Sequence, residues 1–261
     1  MTGTLAHHLA LTRAIDARTP VASCTVVRGE PLGTKLLVEP GTVLGTLHDP
    51  TLDAAAAADA LALIDAERSE TRVYETFSGP VEVFIETFPA PPTLLIVGAV
   101  HVAQALCEFG KGLGFDVIVV DARAKLATPE RFPRADRIIQ AWPDEAMAEL
   151  AVRPNWYIAI LTHDPKFDEP AILSSLKTPS RYIGAIGSRK TNIDRRRRLA
   201  EAGLSDEDLA RVRGPIGLDI GAATPEEMAI SILGEIIAVR HGRGGGALTT
   251  ASGNIRGAAA S

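Results

Sequence analysis

Thr93-Leu-Leu-Ile-Val-Gly-Ala-Val-His-Val-Ala103 is the stretch on which the fold turns. After Thr93, four apolar residues in succession, without alternation, mark a strand buried on both faces, as in a parallel sheet covered by helices. Gly98 follows at once and can make the tight turn from strand to helix. Ala103 is small enough for that helix to pack closely on the strand, in the place where a dinucleotide-binding fingerprint reads Gly-x-Gly-x-x-Gly or Ala. Val100 stands where a second glycine normally lets the backbone approach a pyrophosphate, and a β-branched side chain obstructs that approach. Asp121 lies 23 positions after Gly98, at the end of the next apolar run, where an acidic residue accepts hydrogen bonds from an adenosine ribose. Two readings follow: a weak NAD(P) site, or a scaffold that keeps the shape without tight nucleotide binding.

Working outward, strand and helix alternate. A helix is expected over 102–113, and strands over 116–120, 137–139, 157–161 and 181–185, with helices between most of them. Thr224, followed by Pro225 and by Glu227 three residues on, forms a capping box. It opens an apolar helix through Ala229, Ile232, Leu233, Ile236 and Ile237 that ends near His241-Gly242. This alternation predicts an α/β chain whose residues 93–241 form a Rossmann-like, doubly wound parallel-sheet domain. Upstream, Pro89-Ala-Pro-Pro92 favours an extended linker over 89–92. Residues 1–88 read as a small α+β domain. Its first helix, over 5–17, carries Leu5, Leu9, Thr12 and Ile15 along one side. Strands are expected over 21–27, 34–38 and 42–47, and an alanine-rich helix over 52–67 is suited to close packing on a sheet. Val81, Val83 and Ile85 alternate with Glu82 and Glu86 as a half-exposed strand does. The glycine-, alanine- and serine-rich stretch 242–261 is expected to be a mobile tail.

Composition narrows the function. The chain has 261 residues, 46% hydrophobic and 23% charged, an ordinary globular balance. A formal net charge of −5 supplies no global basic field, so nucleic acid is not an expected partner. No apolar run is long enough to span a bilayer, and the N-terminal residues lack a signal-peptide pattern, so a cytoplasmic protein is expected. Cys24 and Cys107, far apart in apolar stretches, read as buried thiols; neither has metal-ligand spacing, and no metal site is expected. A Gly-x-Ser-x-Gly elbow, a Walker lysine loop, a His-Glu-x-x-His helix and a Tyr-x-x-x-Lys pair are all absent. Hydrolase, NTPase, zinc-protease and reductase readings lose support accordingly.

Two further turns carry candidate chemistry. Thr162-His163-Asp164 follows an apolar strand at the sheet's carboxyl edge, where open α/β folds bind ligands. His163 can exchange a proton near neutral pH, and Asp164 can fix its environment; the competing reading is a loop cap, with Asp164 forming an Asx turn before Pro165. Gly187-Ser-Arg-Lys190 also follows a strand, with Ser188 placed to cap the next helix and Arg189 and Lys190 beside it. Backbone amides and two cations then make an anion cradle, unless the pair is an ordinary exposed helix start. His101, in the first turn, can meet a ligand phosphate or merely solvate the helix start. Arg195-Arg-Arg-Arg198 is weaker, because consecutive residues point in different directions round a helix and most are solvated. Gly217 and Gly221, on either side of Leu218-Asp-Ile220 in the block that runs on to Thr224, suggest a backbone close to the sheet edge.

Several blocks together resemble one family. They are residues 94–106, Val119-Val-Asp-Ala-Arg123, Ala127-Thr-Pro-Glu-Arg-Phe-Pro133, Thr162-His-Asp164, Tyr182-Ile-Gly-Ala-Ile-Gly-Ser-Arg-Lys190, and Gly214-Pro-Ile-Gly-Leu-Asp-Ile-Gly221 with Thr224-Pro-Glu-Glu227. Over residues 91–243 the chain is similar to the Rossmann domain of the XdhC/CoxI family of molybdenum-cofactor accessory proteins. The resemblance implies a maturation role: binding molybdenum cofactor, helping it acquire its terminal sulfur, and delivering it to a molybdenum hydroxylase of the xanthine dehydrogenase or carbon monoxide dehydrogenase type. The turns read above lie within these blocks, so Gly98, His101, Asp121, Thr162, His163, Ser188, Arg189 and Lys190 are the cofactor-binding candidates, and His163 and Asp164 the candidates for proton chemistry. A cysteine desulfurase is an implied partner, and a homodimer is expected. Two departures stand out. Relatives usually read Gly-x-Gly-His where this chain has Gly98-Ala-Val-His101, and a Gly-Gly-Cys stretch where it reads Gly45-Thr-Leu-His-Asp-Pro50. The rival functions are a NAD(P)-dependent oxidoreductase and a catalytically silent scaffold dimer.

Overall fold

A computed structural model describes residues 2–252, in two compact units, residues 2–90 and 91–251. The first runs α1 (Thr2–Asp16), β1 (Val21–Arg28), β2 (Lys35–Glu39), β3 (Thr42–Gly45), α2 (Pro50–Asp65), β4 (Glu70–Thr76) and β5 (Gly79–Phe88). Its strands pair antiparallel in the order β3-β2-β1-β5-β4. Alternation explains the packing: Val81, Val83 and Ile85 of β5 and Ala22, Cys24 and Val26 of β1 point to one face, where α2 covers them with Leu52, Ala56, Ala60 and Leu63. The two fully buried alanines let that helix approach the sheet closely.

Two features depart from the sequence expectations. β4 has no counterpart among the expected strands, because Glu70-Thr-Arg-Val-Tyr-Glu-Thr76 has only two adjacent apolar residues and shows no apolar period. The expected apolar side of α1 faces outward, with Leu5 and Leu9 about 60% exposed and Ile15 also exposed. The helix docks instead through Ala14, with Ala10 and Leu11, against Val21 and Leu37. Buried His7 joins this contact, its Nε2 lying 3.0 Å from Ser23 Oγ. Small side chains permit a close approach that a leucine ridge would not.

The second unit runs β6 (Thr93–Val97), α3 (His101–Gly112), β7 (Asp116–Val120), β8 (Arg137–Ile139), α4 (Pro143–Glu149), β9 (Trp156–Ile160), α5 (Pro165–Leu176), β10 (Tyr182–Ala185), α6 (Arg189–Glu201), α7 (Asp206–Ala210), β11 (Val212–Arg213) and α8 (Pro225–Arg240). Its strands are all parallel, in the order β11-β10-β9-β6-β7-β8. That is the Rossmann order, with the switch point between β6 and β9. The unbroken apolar run of β6 has its reason here: Leu94 and Ile96 face a core shared with α3 and α8, while Leu95 and Val97 face one shared with α4, α5 and α6. Thr224 and Glu227 form the expected capping box at the start of α8. Of the expected tail, residues 242–252 are exposed and include one 3-10 turn, Leu248–Thr250; the remainder lies outside the described residues. Among the described residues no helix is long and apolar enough to cross a membrane.

Candidate functional site

Because all strands of the second unit run the same way, the turns that follow them meet at one edge. Each turn is tied to its neighbour just past the strand end: Gly98 N donates to Val120 O at 2.8 Å, Asp121 N to Ile139 O at 3.1 Å, Leu161 N to Val97 O at 2.8 Å and Ile186 N to Ile160 O at 2.9 Å. Residues 98, 121, 162–164 and 187–190 thus share the carboxyl edge, on either side of the switch point, where open α/β sheets hold ligands.

Gly98 has φ +104°, and a Cβ there would lie 2.5 Å from Thr162 Cγ2. Glycine is required for both reasons. Val100 is the N-cap of α3, gives no side-chain cap, and is half-buried against the core beneath that helix, which takes up part of the bulk expected to obstruct a phosphate. Asp121 is 2% exposed. Its Oδ2 accepts from Ala99 N and Arg123 Nη2, both at 2.7 Å, and its Oδ1 from Arg123 N and Nε, both at 2.9 Å. Burial raises the acid's pKa, but hydrogen bonds from Arg123 and from the Ala99 and Arg123 amides outweigh it and hold the carboxyl below the usual aspartate range. Its acceptors are used within the chain, so the ribose contact expected of it has no acceptor to use.

Thr162 is buried and its hydroxyl donates to Asp168 Oδ1. Asp168 in turn pairs with Arg195, Nη2 to Oδ2 at 2.7 Å, with both side chains under 5% exposed. Arg195 also donates to Ile186 O at 3.0 Å and Asn192 Oδ1 at 2.6 Å, and Asn192 Nδ2 donates to Gly187 O at 3.0 Å. One buried network thereby joins the turn after β9 to the turn after β10. Burial pushes the Asp168 carboxyl up, against the hydrogen bonds from Thr162 and Arg195. Sequence reasoning missed this pair. Its one signal is that Leu199, buried, lies four residues after Arg195 on the same helix face. Arg196 and Arg197 are exposed, and half-buried Arg198 pairs with Glu169.

His163 and Asp164 are exposed, and Asp164 caps α5 by accepting from Lys166 N at 3.0 Å ahead of Pro165, which is the Asx arrangement. Ser188 caps α6, its Oγ accepting from Thr191 N at 3.1 Å, with Arg189 and Lys190 exposed in the first turn. Arg189 also lines a cavity of about 400 Å³ with Gly217, Asp219, Gly221 and Ser231. His101 lines a different recess, with Gln104, Glu130 and Arg131.

In the first unit, the loop over residues 45–50 is closed by acids: Leu47 N donates to Asp53 Oδ1 at 2.6 Å, and Asp49 caps α2. His48 there has φ +67°, a conformation that favours glycine. Burial pushes the Cys24 thiol up to about 12 and the Cys107 thiol up to about 11, so neither is a thiolate at neutral pH.

Residues 94–236 match the family described as the XdhC Rossmann domain, and residues 14–75 match the XdhC and CoxI family. The chain belongs to the XdhC and CoxI family. The protein YqeB of Escherichia coli is 35% identical over 64% of the chain and 31% of its own length. A Bacillus subtilis protein, named as a probable subunit of xanthine dehydrogenase, is 32% identical over 63% of the chain and 48% of its own length. The molybdenum cofactor insertion chaperone PaoD of Escherichia coli is 26% identical over 56% of the chain and 40% of its own length. The match thus spans between about a third and a half of these relatives. A crystal structure of a xanthine dehydrogenase from Bacillus halodurans shares the fold, with TM-score 0.53 and 20% identity over 92% of this chain and 97% of that one. The matched stretch 94–236 contains the turns at 98, 121, 162–164 and 187–190 of the carboxyl edge.

Proposed function

We propose that this XdhC-family chain is a maturation factor that binds molybdenum cofactor and passes it to a molybdenum hydroxylase. The family match and the likeness to the chaperone PaoD support the maturation role. One structural observation carries the cofactor part: a helix start with two exposed cations, Arg189 and Lys190, opens beside the Arg189-lined cavity. The residues fit a phosphorylated pterin. Ser188 takes the Thr191 amide, and the first amides of α6 with the two cations are left for a phosphate, each contact contributing about 1 to 3 kcal/mol. His163 and Asp164, exposed on the adjoining turn, supply donors and acceptors to the ring. The cofactor brings its own metal and sulfur chemistry; the chain positions it. With both thiols buried, no cysteine among the described residues serves transfer, so sulfur comes from a separate cysteine desulfurase. A homodimer belongs to the same proposal.

The test is direct titration of molybdopterin against the purified chain. Arg189→Ala with Lys190→Ala is expected to weaken binding about tenfold or more, the loss of one to two charge-assisted contacts, with unchanged stability because both side chains are exposed. Equal binding by the double variant removes the cradle. Absence of binding by wild type removes the cofactor reading and leaves a scaffold.

A further inference from the structure

On the other side of the switch point, the end of β7 presents donors where the fold ordinarily presents an acceptor. A carboxylate at this place recognises a ribose diol, and an arginine recognises a ribose phosphate. Here Asp121 has four donors on its two oxygens, all from Ala99 and Arg123. Arg123 is the group left open. Its side chain is 44% exposed, and Nη1 makes no hydrogen bond among the described residues.

The guanidinium is also held in place. Its bidentate grip on Asp121 fixes one edge, and its carbon lies 5.5 Å from the centre of the Phe167 ring. Phe167 in turn stacks on Trp142, with centroids 4.5 Å apart and planes at 16°. An arginine already ordered by a carboxylate and an aromatic ring loses little freedom when a ligand arrives. Trp142, past the end of β8, is 43% exposed. Lys125 is exposed in the same loop, and Asp164, in the turn after β9, is a second and weaker opposing charge on Arg123 after Asp121. The open groups of Arg123 and Lys125 are donors only, which suits an acceptor-rich phosphate monoester and not a diol.

We propose that the β7 edge, with Arg123 beside Phe167 and Trp142, is a binding site for a nucleotide whose ribose carries its own phosphate monoester. This goes beyond the maturation role and uses a different part of the edge from the Ser188 cradle. Such a ligand comes with the phosphate on the 2′ or the 3′ oxygen, and the two are separated by probe.

Calorimetric titration of the full chain with 2′,5′-ADP, 3′,5′-ADP and 5′-AMP tests it, using probes that need no pyrophosphate approach past Val100. At least one bisphosphate is expected to bind about tenfold or more tightly than 5′-AMP, the effect of a single charge-assisted contact. Arg123→Met, which keeps the stem and removes the donors, is expected to abolish the preference, whereas Arg189→Ala leaves it intact. The wild-type comparison needs no variant, so a folding defect in Arg123→Met does not rescue the proposal. Equal binding of all three nucleotides, absence of binding at millimolar concentration, or full displacement by equimolar inorganic phosphate would overturn it.

Discussion

Two aspartates end up on arginines at the same sheet edge, and their surroundings send them opposite ways. Asp121 and Asp168 each receive an Nη2 at 2.7 Å, but the Arg123 side chain is 44% exposed and the Arg195 side chain only 4%. Asp121 also accepts from two backbone amides, and its carboxyl is held low. Asp168 gets hydroxyl and guanidinium donors only, inside a sealed pair, and desolvation pushes it up. An arginine partner does not by itself set the direction in which a carboxylate shifts; amide donors and the depth of burial decide it here. The open pair leaves a guanidinium for ligands, whereas the sealed pair joins two turns and offers nothing outward.

Breaking the sealed pair is expected to have the largest effect. Asp168→Ala or Arg195→Ala leaves an uncompensated buried charge and is expected to cost about 3 to 5 kcal/mol, read as a lowered urea midpoint. The same substitutions are expected to disturb the turns at 162–164 and 187–190 together, visible as faster amide exchange at both. A loss confined to one turn would contradict the joining role.

The open pair is expected to appear in pH dependence. The unfolded Asp121 carboxyl titrates near about 3.9, and its folded value is lower, so its contribution is present above the unfolded value and fades as pH falls through the folded one. Asp168 has the opposite sign: with the folded value raised, stability falls as pH rises from the ordinary aspartate value toward the raised one. Asp121→Asn is therefore expected to lose about 1 to 3 kcal/mol near neutrality and to show a shallower decline in acid than wild type, measured by denaturant titrations across pH. An unchanged acid decline would show that Asp121 is not held low.

The smallest effect is expected at Arg198, one helix turn from the sealed pair's Arg195. It bonds Glu169 at 2.6 Å with side chains 38% and 30% exposed, and Arg198→Ala is expected to cost about 0 to 1 kcal/mol. A cost matching that of Arg195→Ala would erase the distinction that burial draws within this arginine run.

Most of the parallel sheet was legible because its central strands carry apolar runs between turns, and β6, β7 and β8 fall where expected; the two-residue edge strand β11, Val212-Arg213, carries no such run and was not. Nor was β4, since Val73 is largely exposed on an edge strand and the remaining positions are mostly polar. The turns of the candidate edge were legible from the same logic, each lying just past a run. Their interior was hidden: Asp168 lies within a helix, Arg195 within four identical residues, and the return of Arg123 onto Asp121 is a local hydrogen-bond choice that spacing does not record. α1 misled because large apolar residues read as a contact face, whereas close docking selected alanine and a histidine with a hydroxyl partner.

The maturation role is tested most directly by reconstitution. A client apo-hydroxylase is incubated with molybdenum cofactor, with or without the chain, and its substrate oxidation is followed. The role predicts that activity recovers faster and further with the wild-type chain, and that folded Arg189→Ala, Lys190→Ala protein gives little of this gain. Equal recovery without the chain would contradict it.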